Sequence, residues 1–369
     1  MKKVLSLDGG GIRGIISASI IAHLEARLQV ATNDPTARIS DFFDLLSGTS
    51  AGGILTALYL VPGSEVSQAG IISSNEKVQD ETLDGKESVP GEINRDQAGA
   101  GILFRPKYSA AQALEFYEEL GPVLFSRSLK QLIFSGWGVF RSRYKADALY
   151  DFAHKILGDT YISEVAKDCL ITSYDLSTRK ALLFSKYSVR KYGTMADYKL
   201  CDIVRATSAA PSYFPPAQIF ARDNSPRHLV DGGVYANNPA MCAVVESIKL
   251  WPELTLRDYW MLSVGTGKVV NPYFYDKTKK FGYIDWLVPI IDILMSSVAE
   301  TVGYEAKQMF TAAGVPENYV RIEPPILSAD IRMDNAKQWN IRALKNAAQN
   351  YIDHNGDVFD RVVADLTSK

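Results

Sequence analysis

Short apolar runs that end in glycine-rich turns and lead into helical periodicity recur along the chain. Residues 4–7 run into the turn at residues 8–14, after which apolar side chains recur at helical spacing over residues 16–28. Residues 42–46 run in the same way into the turn at residues 47–53, which precedes a second apolar stretch. The pattern predicts two strand–turn–helix units near the start of the chain.

The same pattern predicts further strands and helices. Residues 169–174 and 181–184 indicate two adjacent strands joined by a turn, and residues 228–231 and 261–264 indicate buried strands that end at glycine turns. Helices are predicted over residues 202–210 and 240–250, and the chain from residue 284 on is predicted to be mostly helical, with an amphipathic helix over residues 337–359. In open parallel sheets, ligands bind beyond the carboxyl ends of the strands, so the first two glycine turns are expected to face one crevice.

Composition indicates a globular chain. With 369 residues, 47% hydrophobic and 22% charged, it can bury a substantial core as one large or two modest domains. The 40 basic and 42 acidic side chains give a net charge of -2, so no general attraction to nucleic acid is expected. Three widely spaced cysteines, Cys169, Cys201 and Cys242, fit no metal spacing and indicate reduced thiols in a reducing compartment.

The chain carries no recognisable targeting or spanning segment. The first glycine motif begins so close to Met1 that no cleavable signal peptide is expected. The apolar run at residues 286–295 contains Pro289 and Asp292 and is too short to span a bilayer. We therefore expect a cytoplasmic protein that is not integral to a membrane, with peripheral membrane contact allowed.

Two segments differ from the rest in composition. Residues 64–101 are polar, acidic and small, which predicts a mobile insertion, either a regulatory lid or a solvated loop without a role. Aromatic and basic residues mix over residues 122–144 and 273–286. Such segments suit a membrane interface or an acyl-chain entrance, and equally a core-facing helix.

The first glycine turn has two chemical interpretations. Gly9-x-Gly11-x-x-Gly14 satisfies the dinucleotide-binding fingerprint, but the acidic residue expected about twenty positions further on is missing, since Glu25 falls within a helix and Asp34 within a loop. The alternative is an oxyanion hole made of the backbone N–H groups of three successive glycines, Gly9, Gly10 and Gly11.

Arg13 follows these glycines in the same turn. It either anchors the loop or an anionic headgroup, or it is a surface arginine paired with a nearby carboxylate.

The second glycine turn contains the nucleophile-elbow pattern Gly48-x-Ser50-x-Gly52. A serine held between a strand and a helix crowds its neighbours, and only glycine fits beside it. The Ser50 hydroxyl would then lie at a helix N-terminus, where unpaired N–H groups favour a developing negative charge.

A serine nucleophile needs a base, and the chain has four histidines. His23 and His154 lie in predicted helices, and His228 is separated from Asp231 by an odd number of positions, which on a strand points the two side chains to opposite faces. A triad in the chain order of α/β-hydrolases would need a histidine after the acid, which leaves His354.

Three motifs in order, at residues 8–14, at residues 48–52 and at Asp231-Gly232-Gly233, resemble the patatin-like phospholipase family, close to the plant patatins. The resemblance extends over most of the chain, through residues 116–117, 161–187, 209–216 and 262–267. Two features depart from the family pattern, namely the long insertion after Pro62 and Asp-Gly-Gly in place of Asp-Gly-Ala.

The resemblance implies an α/β fold with three layers, α/β/α, around a central, mostly parallel sheet. It also implies one acyl-hydrolase domain spanning residues 1–369. Its motif-bearing core covers residues 4–242, it carries the insertion at residues 64–101, and residues 243–369 complete the fold.

The resemblance further implies a Ser–Asp dyad without histidine, in which Ser50 attacks a lipid acyl ester and Asp231 takes and returns the proton. An aspartate can do this only if desolvation raises its pKa. Gly9, Gly10, Gly11 and Ala51 are expected to form the oxyanion hole. The supporting motif residues are Arg13, Gly14, Gly48, Gly52, Gly232 and Gly233. No metal or cofactor is expected; the alternative is a catalytically silent lipid-binding or storage protein.

Overall fold

The computed structural model describes residues 1–63, 105–125, 142–144, 147–269 and 272–368. The predicted insertion at residues 64–101 and most of the aromatic–basic segment at residues 122–144 lie outside the described residues.

An eight-stranded sheet forms the centre of the protein, with strand order β5-β6-β3-β2-β1-β7-β9 and with β4 paired to β3 outside that path. Neighbouring strands from β3 through β9 in this order are parallel, whereas β4 and β6 run antiparallel to β3 and β5 runs antiparallel to β6. The strands are β1 Lys2–Leu7, β2 Leu45–Gly48, β3 Asp168–Asp175, β4 Lys180–Ser185, β5 Ala217–Phe220, β6 Pro226–Asp231, β7 Tyr259–Val264, β8 Lys268–Val269, β9 Tyr319–Ile322 and β10 Pro325–Ile326; β8 and β10 form a separate parallel pair.

Helices cover both faces of this sheet. They are α1 Gly14–Thr32, α2 Ala51–Leu60, α3 Ala110–Leu124, α4 Asp147–Leu157, α5 Lys186–Tyr192, α6 Leu200–Thr207, α7 Gly233–Ala236, α8 Ala240–Leu250, α9 Tyr275–Thr278, α10 Tyr283–Ala312, α11 Gln338–His354 and α12 Gly356–Thr367. The predicted three-layer α/β/α arrangement around a mostly parallel sheet is confirmed.

Successive strand residues divide between two cores, because side chains alternate across a strand. Leu5 of β1 joins the larger cluster with α1, α2, α3, α11 and α12, whereas the preceding Val4 joins a smaller cluster with α8 and α10. Leu46 and Leu45 of β2 divide in the same way. Both faces of the central strands are therefore buried, which explains their continuous apolar runs.

Some predicted bounds were wrong. The run at residues 42–46 becomes a strand only at Leu45, because Ile39–Phe42 form a 3₁₀ turn, and the helix predicted to residue 210 ends at Thr207. The mostly helical C-terminal part also contains β9, which pairs with β7 and extends the sheet. Residues 243–369 thus contribute to the same sheet as the motifs, which favours the single-domain interpretation; the division into domains stays a prediction.

The antiparallel strand β6 brings its last residue to the same edge of the sheet as β1 and β2. Gly48 at the end of β2 lies beside Ile171 of β3, and β3 continues for four more residues. Asp231 at the end of β6 lies beside Ser173 on that extension. Ser50 lies two residues beyond Gly48, and Ser173, the partner of Asp231, lies two residues beyond Ile171. Ser50 and Asp231 therefore lie at the same distance beyond the end of β2.

Candidate active site

Ser50 occupies the turn between β2 and α2 in a strained conformation. Its backbone has φ 52° and ψ -116°, and the helix begins at the next residue, Ala51. Positive φ is uncommon for residues other than glycine and is frequent at functional sites. The Ser50 N–H donates to Thr207 Oγ1 at 2.9 Å, which fixes the turn from the side of α6.

The glycines on either side of Ser50 allow this turn to close. A Cβ added at Gly48 would collide with the Gly52 carbonyl, and one added at Gly52 would collide with the Leu7 carbonyl of β1. Backbone atoms cannot rotate away as side chains do, so only glycine fits at either position. The spatial argument made from the sequence for these two residues is confirmed.

Asp231 is buried, with an exposed fraction of 1%, and its backbone N–H donates to the Ala209 carbonyl at 3.1 Å. The Gly233 N–H donates to Oδ1 at 2.7 Å, which leaves Oδ2 without a partner in ordinary hydrogen-bond geometry. Burial raises the pKa of Asp231 to about 7, against smaller opposite effects of hydrogen bonds from the Ser50 hydroxyl and the Gly233 N–H. The Ser50 hydroxyl lies close enough to the Asp231 carboxylate to stabilise its charged form, but not in the geometry of a full hydrogen bond. We call this contact a loose approach of the hydroxyl to the carboxylate.

Ser50 and Asp231 line the same cavity, whose empty space of about 590 Å³ includes part of the open solvent at its mouth. Most of its other lining residues are apolar: Ile12, Ala51, Ile54, Leu120, Leu124, Phe125, Leu149, Ala210, Phe214, Met295 and Met333. An apolar cavity with few polar groups is the usual form of a small-molecule site. Here the polar lining groups include the Ser50 alcohol and the Asp231 carboxylate, which approach each other beside a wall suited to hydrocarbon.

The glycine turn after β1 lies along this cavity and is held from several sides. Thr266 Oγ1 donates to the Gly9 carbonyl at 2.9 Å, and the Tyr117 hydroxyl donates to the Gly11 carbonyl at 2.6 Å. Its backbone N–H groups differ in availability. The Gly9 N–H donates to the Asn237 carbonyl at 2.8 Å, whereas those of Gly10 and Gly11 have no hydrogen-bond partner among the described residues.

The Ala51 N–H at the start of α2 is likewise without a partner in the described part of the chain. Of the four N–H groups predicted to form the oxyanion hole, those of Gly10, Gly11 and Ala51 therefore have no partner among the described residues. Gly9 is the exception, because its N–H is already donated within the protein, and its inclusion among the donors is corrected.

The other predicted motif residues have distinct places. The Arg13 side chain is buried and has no hydrogen bond or ion pair with the described residues, and burial lowers its pKa. Its interpretation as a surface arginine paired with a carboxylate is therefore wrong. Gly14 begins α1, Gly232 packs on Thr172 of β3, and Gly233 supplies the N–H that binds Asp231.

Comparisons with known proteins show the family of this chain. The sequence model described as patatin-like phospholipase matches residues 5–244, which include Ser50, Asp231 and the glycine turn. The chain belongs to the patatin-like phospholipase family. Members of this family are generally lipid acyl hydrolases.

Relatives in plants are similar over most of the chain. Patatin-like protein 4 of Arabidopsis thaliana is 30% identical over 373 residues, which cover 95% of this chain and 83% of that protein. Probable inactive patatin-3-Kuras 1 of Solanum tuberosum is 28% identical over 95% of this chain and 86% of that protein. Among solved structures, VipD from Legionella pneumophila aligns with a TM-score of 0.34 at 10% identity, over 98% of this chain and 67% of that chain.

None of the four histidines of this family member lines the cavity that contains Ser50. His354 is exposed at the end of α11 and contacts the Asn350 carbonyl, and His228 is exposed on β6 beside Ser177 and Gln218. His23 packs edge-on against Phe359 of α12. The triad alternative with His354 therefore has no support in the structure.

The dinucleotide alternative fails for a similar reason. Glu25 is buried within α1, where its carboxylate accepts hydrogen bonds from the Ile39 N–H at 2.7 Å and the Ala110 N–H at 2.8 Å. It is therefore occupied in joining three segments of the core. Asp34 binds Thr36 within its own exposed loop.

The described residues contain no group of three or more histidine, cysteine, aspartate and glutamate side chains placed to hold a metal ion. Among the described helices, none combines the length and apolar character needed to cross a bilayer.

Arg321 is an important residue that sequence reasoning missed. It lies on β9 and donates to both oxygens of the buried Asp8, at 2.9 and 2.6 Å, and to Ser263 Oγ at 2.8 Å. Asp8 is the residue directly before the glycine turn, so this two-pronged pair holds the start of the turn against the sheet. No sequence signal connects two residues 313 positions apart.

Proposed function

We propose that this protein is a serine acyl hydrolase that cleaves fatty-acyl esters of phospholipids or related lipids through a Ser50–Asp231 dyad. The observation that carries the proposal is the shared cavity, in which a serine in an elbow turn meets a buried carboxylate with a pKa of about 7. The apolar wall of the cavity supports an acyl chain as the bound part of the substrate.

The first half of the reaction forms an acyl-enzyme. Ser50 Oγ attacks the ester carbonyl carbon while Asp231 accepts its proton, and the C–O bond to the alcohol breaks as Asp231 returns that proton to the leaving oxygen. Water then attacks the acyl-serine ester, with Asp231 again taking and returning a proton, which releases the fatty acid and frees Ser50.

The oxyanion of each tetrahedral intermediate needs donors that are free before the substrate arrives. We assign this role to the N–H groups of Gly10, Gly11 and Ala51, which have no partner among the described residues. Each such donor is typically worth roughly 10²- to 10³-fold in rate. The N-terminus of α2 adds a favourable field for the same charge.

Asp231 can serve as base because its environment disfavours the carboxylate. A carboxylate whose conjugate acid has a pKa near 4 is too weak a base for an alcohol. A pKa of about 7 brings Asp231 closer to the pKa of the serine hydroxyl and so makes it a stronger base at neutral pH. With no histidine beside Ser50, the loose approach of its hydroxyl to this carboxylate is the available route for the proton.

The test is the release of fatty acid from phosphatidylcholine vesicles and of p-nitrophenol from soluble esters. Ser50→Ala and Asp231→Asn are each expected to lower turnover by about 10³-fold or more. Ser208→Ala is the matched control, because Ser208 lines the same cavity and its hydroxyl has no hydrogen-bond partner among the described residues. The turnover of this variant should stay near that of the wild type. Wild-type turnover in Ser50→Ala would falsify the proposal.

A catalytically silent lipid-binding or storage protein is the second candidate. It is favoured by the similarity to a potato patatin described as probably inactive. That candidate predicts lipid association without turnover and no labelling of Ser50 by a fluorophosphonate probe. Covalent labelling of Ser50 that is lost in Ser50→Ala would exclude it.

A further inference from the structure

Helix α10 carries apolar side chains on two opposite sides. On the inner side Met295 lines the cavity that contains Ser50, and Ile291 packs against the core. On the outer side Tyr283, Trp286, Ile290 and Leu294 recur every three or four residues, and all four are exposed. A helix with apolar residues on its solvent side as well as its core side needs a second apolar partner to be fully covered.

The segment before α10 adds further exposed aromatic side chains. Phe274 and Tyr275 have exposed fractions of 69% and 77%, and Tyr273 holds the segment against the helix by donating to Asp292 at 3.0 Å. We call the set Tyr273, Phe274, Tyr275, Tyr283, Trp286, Ile290 and Leu294 the aromatic face. Exposure of this many large apolar side chains within residues 273–294 indicates an interaction surface rather than scattered surface residues.

Two lysines beside the aromatic face form no ion pair with the described residues. Asp276 pairs with Lys279, Asp285 accepts from the Gly282 N–H, and Asp292 accepts from Tyr273. Lys277 and Lys280 are exposed and form no ion pair with the described residues. Tyrosine, tryptophan and lysine together are typical of surfaces that lie at the boundary of headgroups and acyl chains, since each has an apolar body and a polar end.

We propose that the aromatic face docks this protein onto a phospholipid bilayer surface. The proposal rests on the proposed function, because a lipid drawn from that surface would reach Ser50 along the wall that α10 provides. Leu294 on the aromatic face and Met295 in the cavity are adjacent in sequence, so the docking surface and the cavity share one helix. Lys277 and Lys280 contact lipid phosphates, while the aromatic side chains enter the headgroup layer.

The experiment compares two triple variants of the full chain. Phe274→Ser, Trp286→Ser and Leu294→Ser remove apolar side chains from the aromatic face, none of which lines the cavity. Leu176→Ser, Tyr192→Ser and Phe220→Ser form the matched control, because these exposed residues lie on the opposite part of the sheet, around β3 to β5. Cosedimentation with phosphatidylcholine vesicles, with and without phosphatidylserine, measures binding in the Ser50→Ala background.

The first variant is expected to lose vesicle binding by about tenfold or more, while the control binds like the parent protein. In the active background, both should hydrolyse a soluble p-nitrophenyl ester within about twofold of wild type. Lys277→Gln with Lys280→Gln should reduce the preference for vesicles that contain phosphatidylserine.

Unchanged vesicle binding in the aromatic-face variant would overturn the proposal. So would a wild-type dimer that dissociates in this variant alone, because the face would then be an interface between copies of the chain. If no substrate is hydrolysed but vesicle binding depends on the aromatic face, the docking surface stands and the proposed catalytic function fails.

Discussion

The Asp231 carboxylate is the residue on which the proposed reaction depends most. Its side chain is buried, and among the described residues the Gly233 N–H is the donor that binds it with good hydrogen-bond geometry. Burial without full compensation raises its pKa to about 7, and a higher pKa makes a stronger base. The same burial makes the charged form costly for the folded state.

The pH dependence of the reaction follows from this pKa. Asp231 accepts a proton from Ser50 only as carboxylate, so kcat/KM should fall as pH drops through about 7 and level off above it. Hydrolysis of a soluble ester over a range of about pH 5 to 9, followed by a signal that does not depend on product ionisation, measures this limb. A limb near the ordinary aspartate pKa would show that burial does not raise the pKa of Asp231 in the working enzyme.

Asp231→Asn should stabilise the folded protein at neutral and higher pH, because it removes a buried charge that costs free energy. The folded-state pKa of Asp231 lies above its ordinary value, so burying the carboxylate costs free energy that grows from about pH 4 to about pH 7. A neutral amide avoids that cost. At pH 8 the variant should therefore unfold at a higher denaturant concentration than wild type, with a free energy of unfolding larger by at most about 4 kcal/mol. Below pH 4 the two proteins should differ little.

Ser50→Ala is the control for this measurement, because it removes the other half of the dyad without removing the buried charge. An equal gain at both pH values would contradict an electrostatic origin.

At the scale of elements, β9 joins the C-terminal part of the chain to the glycine turn. Arg321 on this strand binds both oxygens of Asp8, and the pair is almost fully buried. Breaking one partner of a buried ion pair leaves an unpaired charge behind, which is more costly than losing a surface pair. The turn that would hold the oxyanion therefore depends on a residue outside the segment matched to the family, residues 5–244.

Arg321→Met should lower both stability and turnover. We expect a loss of about 3–5 kcal/mol in the free energy of unfolding, because Asp8 stays buried without its partner. A shift of the turn should lower kcat by up to about 100-fold, with a smaller effect on KM. Denaturant unfolding and steady-state kinetics measure the two effects.

Arg190→Met is the matched control. Arg190 pairs with Asp168 at 2.8 Å, but its side chain is 52% exposed, so its loss should cost less than about 1 kcal/mol. Equal effects of the two substitutions would show that burial of the Asp8 pair carries no special weight.

The elements that the sequence predicted well are those with a local signal. The turns around Gly9 and Ser50 each combine an apolar run, glycines and a periodic helix, and both were located correctly. Strand β9 covers only Tyr319–Ile322 and contains the charged Arg321, so its sequence does not indicate a buried strand. The partner that allows Arg321 to be buried is Asp8, far away in the sequence. The antiparallel direction of β6 and the engagement of the Gly9 N–H by Asn237 likewise depend on contacts across the fold.

At the scale of the whole molecule, the order of the strands differs from their order in the chain. Strand β1 lies between β2 and β7, and β7 comes from the part of the chain beyond the family match. Removing β7 would leave β1 as an edge strand and open the smaller core, which includes Met261 and Phe310. The motif-bearing part should therefore depend on the C-terminal part to fold.

A fragment of residues 1–250 is expected to aggregate or to lack a cooperative unfolding transition, because its sheet is incomplete. A fragment of residues 1–354 keeps all strands and loses only α12, so it should unfold cooperatively at lower denaturant concentration than the full chain. Near-ultraviolet circular dichroism and urea unfolding compare the three proteins. Cooperative unfolding of the shorter fragment would show that the chain divides into two independent domains.

Strand β3 extends beyond the end of β2, and β6 pairs with this extension. The distance between Ser50 and Asp231 therefore depends on the register between β3 and β6. Asp231 reaches Ser50 only because it pairs with Ser173. A slip of β6 by one residue would turn the carboxylate to the other side of the sheet, and a slip by two would carry it about 7 Å away. A misaligned strand would thus yield a protein with most of its core intact and no reactive serine, so labelling of Ser50 reports on correct strand pairing as sensitively as on chemistry.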